Sequence, residues 1–139
     1  VVTDPQPLVG IVVVSHSSRI AEGAVELARQ MAGPDLRLES AGGTADGSLG
    51  TDAMAIMTAI QTADAGSGVV VLADLGSAVL ATQTALELLD PIAAARVRLS
   101  RGPVVEGTVV AAVQASIGDD LEAVLEAADA AAALDKLAR

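Results

Sequence analysis

The stretch LVGIVVVSHSSRIAEGAVELARQMAGP, residues 8–34, decides the fold. Residues 8–14 form an apolar run dominated by Val and Ile, the pattern of a strand covered on both faces. Residues 18–32 then place Ile20, Ala24, Leu27, Ala28 and Met31 at helical spacing, and Gly33 with Pro34 supplies a stop. A strand followed by a helix is the result. GVVVLA at 68–73 predicts a second doubly buried strand, and AVLATQTALELL at 78–89 predicts the helix after it.

The rest of the chain keeps the alternation. LRLESA at 36–41 reads as a more exposed strand, followed by the Gly-rich loop GGTADGSLG at 42–50 and a helix over 52–63 capped by Thr51 or Asp52. RVRLS at 96–100 is a shorter strand, and PVVEG at 103–107 is a loop leading into the helix 108–116. Asp119, after Gly118, is the expected cap of an Ala-rich helix running over 121–138. The fold class is therefore α/β, a three-layer αβα arrangement with a mostly parallel central sheet and right-handed crossovers. Residues 1–7 read as a flexible lead-in, and 8–139 as one domain.

Composition narrows the function. With 139 residues the chain is too short for separate nucleotide and substrate halves, and its 52% hydrophobic content with a mean hydropathy of +0.55 argues against disorder. It has no Phe, Trp or Tyr and a net charge of -10, so it lacks stacking platforms for single-stranded nucleic acid and repels phosphate backbones. No nucleic-acid partner is expected. Absence of Cys excludes disulfides and thiol chemistry, and the one Lys, at position 136, leaves no phosphate loop of the GxxxxGK type. No apolar run reaches bilayer length and VVTDPQP is not a signal sequence, so a cytoplasmic protein with no membrane partner is expected.

In parallel sheets ligands meet the C-terminal ends of the strands. The loops there are SHSS at 15–18, GGTADGSLG at 42–50, DLGS at 74–77 and GPVVEG at 102–107. His16 is the only histidine. An imidazole with an ordinary pKa of about 6.5 is largely neutral at pH 7 and can attack phosphorus without a separate base. Asp74, ending the other inner strand, is the candidate to hold the Nδ1 proton and leave Nε2 free. Gly42, Gly43, Thr44 and Ser77 are candidate neutral donors to a phosphoryl group.

Each residue also has a purely structural reading. His16 can be a hydrogen-bonded histidine with no chemistry, the glycine pair can serve a turn, and Asp74 can cap a helix. Ser15, Ser17 and Ser18 can cap the first long helix, and Glu106 can be a solvated loop carboxylate. A metal site on His16 with Asp46, Asp74 or Glu106 has no supporting ligand spacing, and none is expected.

The blocks GIVVVSHSSRIAEG, AGGTADGSLGTD, VVVLADLGSAVLATQTALELL and GPVVEGTVVAAV, in this order, resemble the phosphotransferase subunits of phosphoenolpyruvate-dependent dihydroxyacetone kinases, the DhaM family. The likeness runs from about residue 8 to about residue 130, and the same fold and a related histidine occur in the mannose-type IIA domains of the sugar phosphotransferase system. What the resemblance implies is a phosphocarrier. His16 matches the histidine that accepts a phosphoryl group from HPr, and the group then passes to ADP held by the subunit DhaL, which phosphorylates dihydroxyacetone on DhaK. Asp74 matches the acidic residue beside that histidine, and Gly43, Thr44 and Ser77 match positions close to the phosphoryl group. The resemblance further implies no cofactor on this chain, since ADP belongs to DhaL, and a homodimer. Some relatives carry HPr-like and Enzyme I-like domains on the same chain, so the donor here is expected in trans. Three other readings remain open: a IIA component donating to a IIB domain, a regulatory domain that senses phosphorylation, and a flavodoxin-like ligand binder, which lacks the aromatics that sandwich a flavin.

Overall fold

The computed structural model describes residues 6–138. Of the expected lead-in, residues 1–5 lie outside the described residues, and Gln6 and Pro7 are exposed coil. Among the described residues the four strands are β1 (Gly10–Ser15), β2 (Leu38–Gly42), β3 (Val69–Ala73) and β4 (Val97–Leu99). All pair in parallel in the order β2-β1-β3-β4, so the two Val-rich runs are the inner strands. Every residue of β1 is buried, and so are the first four of β3.

Six α-helices accompany them: α1 (Ser18–Ala32), α2 (Ala53–Ala63), α3 (Gly76–Leu88), α4 (Pro91–Ala94), α5 (Val104–Ser116) and α6 (Leu121–Ala130). Period-two alternation along β1 and β3 sends Val12, Val14, Val69 and Val71 to one face, where Ile56 and Ile60 of α2 and Ala78 and Ala85 of α3 cover them. On the other face Ile11, Val70 and Leu72 meet Ala28 of α1, Ala111, Ala112 and Ala115 of α5, and Val124 and Ala128 of α6. A core without aromatics thus becomes two thin layers of short side chains, each covering one face of the sheet. No helix among the described residues is long and apolar enough to cross a membrane.

Several boundaries differ from the sequence reading, each for a physical reason. The buried stripe of α1 is Ala21, Ala24 and Ala28, while Ile20, Leu27 and Met31 are exposed. Its neighbour α5 also presents small residues, Gly107, Ala111 and Ala115, and two such faces pack at close range. The segment 103–107 is not a loop: α5 starts at Val104, putting Glu106 in its first turn. Asp120, not Asp119, caps α6, because its extended backbone lets the carboxylate accept from Ala123 N at 2.9 Å. That helix stops at Ala130 and tightens into a 3-10 turn over Ala131–Ala133. From Ala132 to Ala138 every residue is exposed, so no packing adds to the intrinsic helix preference of alanine. The one-turn α4, capped by Asp90 through Ile92 N at 2.8 Å, was not expected from the sequence.

Candidate functional site

Parallel register fixes the geometry of the site. Val14 of β1 lies beside Ala73 of β3, so the next residues, Ser15 and His16 on one strand and Asp74 on the other, emerge together at the C-terminal edge. Asp74 N donates to Val14 O at 3.1 Å, holding the two strand ends side by side. The first strand connects to β2 on one side and the chain later returns to β3 on the other, which makes this the topological switch point of the sheet.

The Asp74 carboxylate receives four donors. Oδ2 accepts from Ser15 Oγ at 2.8 Å and from His16 N at 3.1 Å. Oδ1 accepts from His16 Nδ1 at 3.0 Å and from Leu75 N at 2.8 Å. Burial raises the Asp74 pKa, but the hydrogen bonds from Ser15 and His16 outweigh it and hold the carboxyl below its ordinary value of 3.8. An ionised carboxylate only accepts, so Nδ1 carries the proton and Nε2 keeps its lone pair. Ser77 Oγ lies against Nε2 and donates to it. The His16 side chain is 26% exposed, so the ring is anchored on one side and reachable on the other.

Ser15 has a part the sequence reading did not give it. It is wholly buried, and its hydroxyl both donates to Asp74 and accepts Ser17 N at 3.0 Å. The signal was present: a hydroxyl ending a doubly buried strand must find a partner, and the nearest candidate is the carboxylate ending the adjacent strand. Ser17, by contrast, does cap α1, accepting Ile20 N at 3.4 Å. Asp74 does not cap α3, whose N-cap is Leu75 without a side-chain bond.

The loop after β2 is fastened to the histidine by its backbone. Gly43 N donates to Ser15 O at 3.3 Å and Gly50 N to His16 O at 2.9 Å. Thr44 N donates to Ser48 O at 2.9 Å, and the Thr44 hydroxyl to Asp46 Oδ1 at 2.5 Å. Thus Gly43 and Thr44 lie at the same rim as His16, but both of their amides and the hydroxyl have internal acceptors. That hydroxyl, with Ser48 N, lowers the Asp46 pKa to about 2. Asp46 therefore belongs to its own loop. Glu106 also stands apart from the histidine, paired with Lys136 at 3.0 Å, which lowers its pKa. Among the described residues no group of three or more His, Asp or Glu side chains is arranged to hold a metal ion.

Glycine at 42 is a steric requirement. A Cβ there would sit 2.6 Å from Ser17 O and 2.7 Å from Ser18 Cα, so β2 can end against the start of α1 only without a side chain. Gly42→Ala is expected to cost about 1–3 kcal/mol in denaturant unfolding, through overpacking. Acid offers a second test. Asp74 and Asp64 both have folded-state pKa values below 3.8; for Asp64, burial raises it and the Arg96 ion pair lowers it further. Groups shifted this way stabilise the fold above the unfolded-state pKa and lose that contribution as pH falls through the folded one. Urea midpoints should hold from pH 7 to 5 and drop below about pH 4.

Three comparisons bear on this geometry. Residues 10–125 match the family model EIIA-man, described as the PTS system fructose IIA component. The chain is 47% identical over 121 residues to the phosphoryl donor subunit DhaM of the PEP-dependent dihydroxyacetone kinase of Escherichia coli (strain K12), covering 85% of this chain and 26% of the relative. It therefore spans about a quarter of that protein. A shorter relative, the DhaM subunit of PEP-dependent dihydroxyacetone kinase 2 of Listeria innocua, is 40% identical over 119 residues, covering 86% of this chain and 95% of the relative. Among solved structures, a protein of unknown function, EF1359, superposes with a TM-score of 0.79 at 39% identity, covering 88% of this chain and 93% of that one.

Proposed function

This chain belongs to the EIIA-man family, in its DhaM branch, and on that premise we propose that it is a phosphohistidine carrier for a dihydroxyacetone kinase. It takes a phosphoryl group from HPr onto His16 and delivers it to ADP on DhaL. The observation that carries this reading is the partly exposed His16 ring, tied through Nδ1 to Asp74 and meeting only the Ser77 hydroxyl at Nε2.

In loading, the Nε2 lone pair forms a bond to phosphorus as the bond from phosphorus to the donor's ring nitrogen breaks and that nitrogen recovers its pair. The Nδ1 proton stays in place throughout. The phosphorylated ring then carries positive charge, which the Asp74 carboxylate stabilises, and it remains a good leaving group. Ser77 turns from Nε2 to a phosphoryl oxygen, its hydroxyl donating in both states. Gly43 and Thr44 shape the wall beside the transferring group. In discharge an oxygen of the ADP β-phosphate attacks phosphorus, the bond to Nε2 breaks, and ATP leaves on the partner. Little substrate pocket is needed, because positioning and electrostatics supply the rate.

The test is a partition experiment. The chain, labelled with phosphate through HPr, is mixed with ADP-loaded DhaL or with a IIB domain, and the label is followed. Discharge to DhaL with formation of ATP is expected. Transfer to the IIB domain instead would make the chain a sugar-transport IIA component, and label retained with both would point to a regulatory domain.

A further inference from the structure

The chain has 8 Lys and Arg against 18 Asp and Glu, and five of the seven cations among the described residues have partners. Arg96 pairs with Asp64 at 2.8 Å, Arg98 with Glu122 at 2.8 Å and Lys136 with Glu106 at 3.0 Å. Arg29 and Arg37 donate to backbone carbonyls, Arg37 to Thr62 O at 3.1 Å. Among the described residues only Arg19 and Arg101 have guanidinium groups with neither an ion-pair nor a hydrogen-bond partner. Both lie at the edge of the sheet that carries His16: Arg19 in the first turn of α1, and Arg101 just after β4.

Arg101 lines a cleft of about 690 Å³ together with Asp74, the hydrogen-bond partner of His16, and with Gly76, Val104, Glu106 and Leu134. The volume lies in the range of small-molecule sites. Three charged side chains line it, and two have their polar atoms engaged. Asp74 is surrounded by its four donors, and Glu106 by Lys136. Nearby Asp129 is engaged by Ser100 Oγ at 2.6 Å and by Arg101 N at 2.7 Å, contacts that fix the backbone of residue 101 and leave its guanidinium unpaired. Among the described residues, the Arg101 guanidinium is thus the one charged group lining this cleft with neither a hydrogen-bond nor an ion-pair partner.

We infer that the cleft receives the diphosphate of the acceptor's nucleotide, with the Arg101 guanidinium on a non-reacting phosphate oxygen while the terminal phosphate faces His16. This rests on the carrier reading above and adds to it a residue that separates the two half-reactions. Loading exchanges a phosphoryl group between two imidazoles, with a neutral nucleophile and a neutral leaving group. Discharge brings a multiply charged diphosphate against a phosphoryl dianion, where the donor on Nε2, Ser77, is neutral. A guanidinium offset from the reacting atom relieves that repulsion, and its planar fork fits phosphate oxygens.

The experiment measures single-turnover loading from HPr and discharge to ADP-loaded DhaL for wild type, Arg101→Gln, Arg101→Lys and Arg37→Gln. The last removes the same charge at the opposite end of the sheet. For Arg101→Gln the ratio of discharge to loading rate is expected to fall on the order of tenfold, with part of the loss restored by Arg101→Lys and none seen in Arg37→Gln. Binding of Arg101→Gln to DhaL is expected to weaken when ADP is present and not when the subunit is nucleotide-free. An unchanged rate ratio, or equal weakening with and without ADP, overturns the assignment of Arg101 to nucleotide phosphates and leaves the carrier reading intact. A wild-type chain that loads but does not discharge to DhaL overturns both.

Discussion

His16→Ala should take up no label from phosphorylated HPr, a loss that reaches the background of the assay, while the far-ultraviolet spectrum and urea midpoint stay close to wild type. The ring is partly exposed at the sheet edge and its removal leaves no apolar cavity, so activity and stability separate cleanly. The donor for Asp74 lost with the ring is one of four, and the space is open to water. Phosphorus NMR of the labelled wild type supplies the positive control: an acid-labile signal assigned to phosphate on Nε2 is expected, because Nδ1 is occupied by its bond to Asp74. Label retained by the alanine variant, or a signal on Nδ1, would refute the assignment of His16.

Asp74→Asn is the second large effect, and the structure enlarges it beyond what the sequence suggested. An orienting carboxylate alone implies slower transfer at unchanged stability. Both oxygens of Asp74, however, receive two donors each, so an amide NH₂ placed in either position confronts donors with a donor. Stability should fall by about 1–3 kcal/mol, measured by urea denaturation. Loading and discharge should both slow by about 10²–10⁴-fold, since the imidazole loses the anion that fixes its tautomer and balances its charge. A nitrogen-15 spectrum of His16 showing its Nδ1–H form unchanged, together with wild-type rates, would remove Asp74 from the mechanism.

The meeting of His16 with Asp74 was readable in the sequence because two Val-rich runs can only be inner strands, and the residues following them must stand at the same rim. His16 and Asp74 follow from that argument without side-chain coordinates. The contribution of Ser15 was harder to read, since serines before a helix usually cap it, and here only Ser17 does. Gly43 and Thr44 were placed at the right rim, but a Gly-rich string does not disclose which of its amides the loop itself consumes. Nor was Arg101 legible, because an unpaired cation is defined by the partners other cations find across the fold. The Ala-rich tail misled for a related reason: propensity is local, and the end of α6 is set by where burial stops.

The strand order β2-β1-β3-β4 bears on how the molecule breathes. His16 and Asp74 hang from the two interior strands, whose amides at Val12–Val14 and Val70–Leu72 should be among the slowest to exchange with deuterium. Fraying of either outer strand would release the loop over 43–50 or the segment around Arg101 while the paired imidazole and carboxylate stayed assembled. In a carrier of the proposed kind, the surfaces that meet a partner would thereby lie in the parts that open first, and the histidine in the part that opens last.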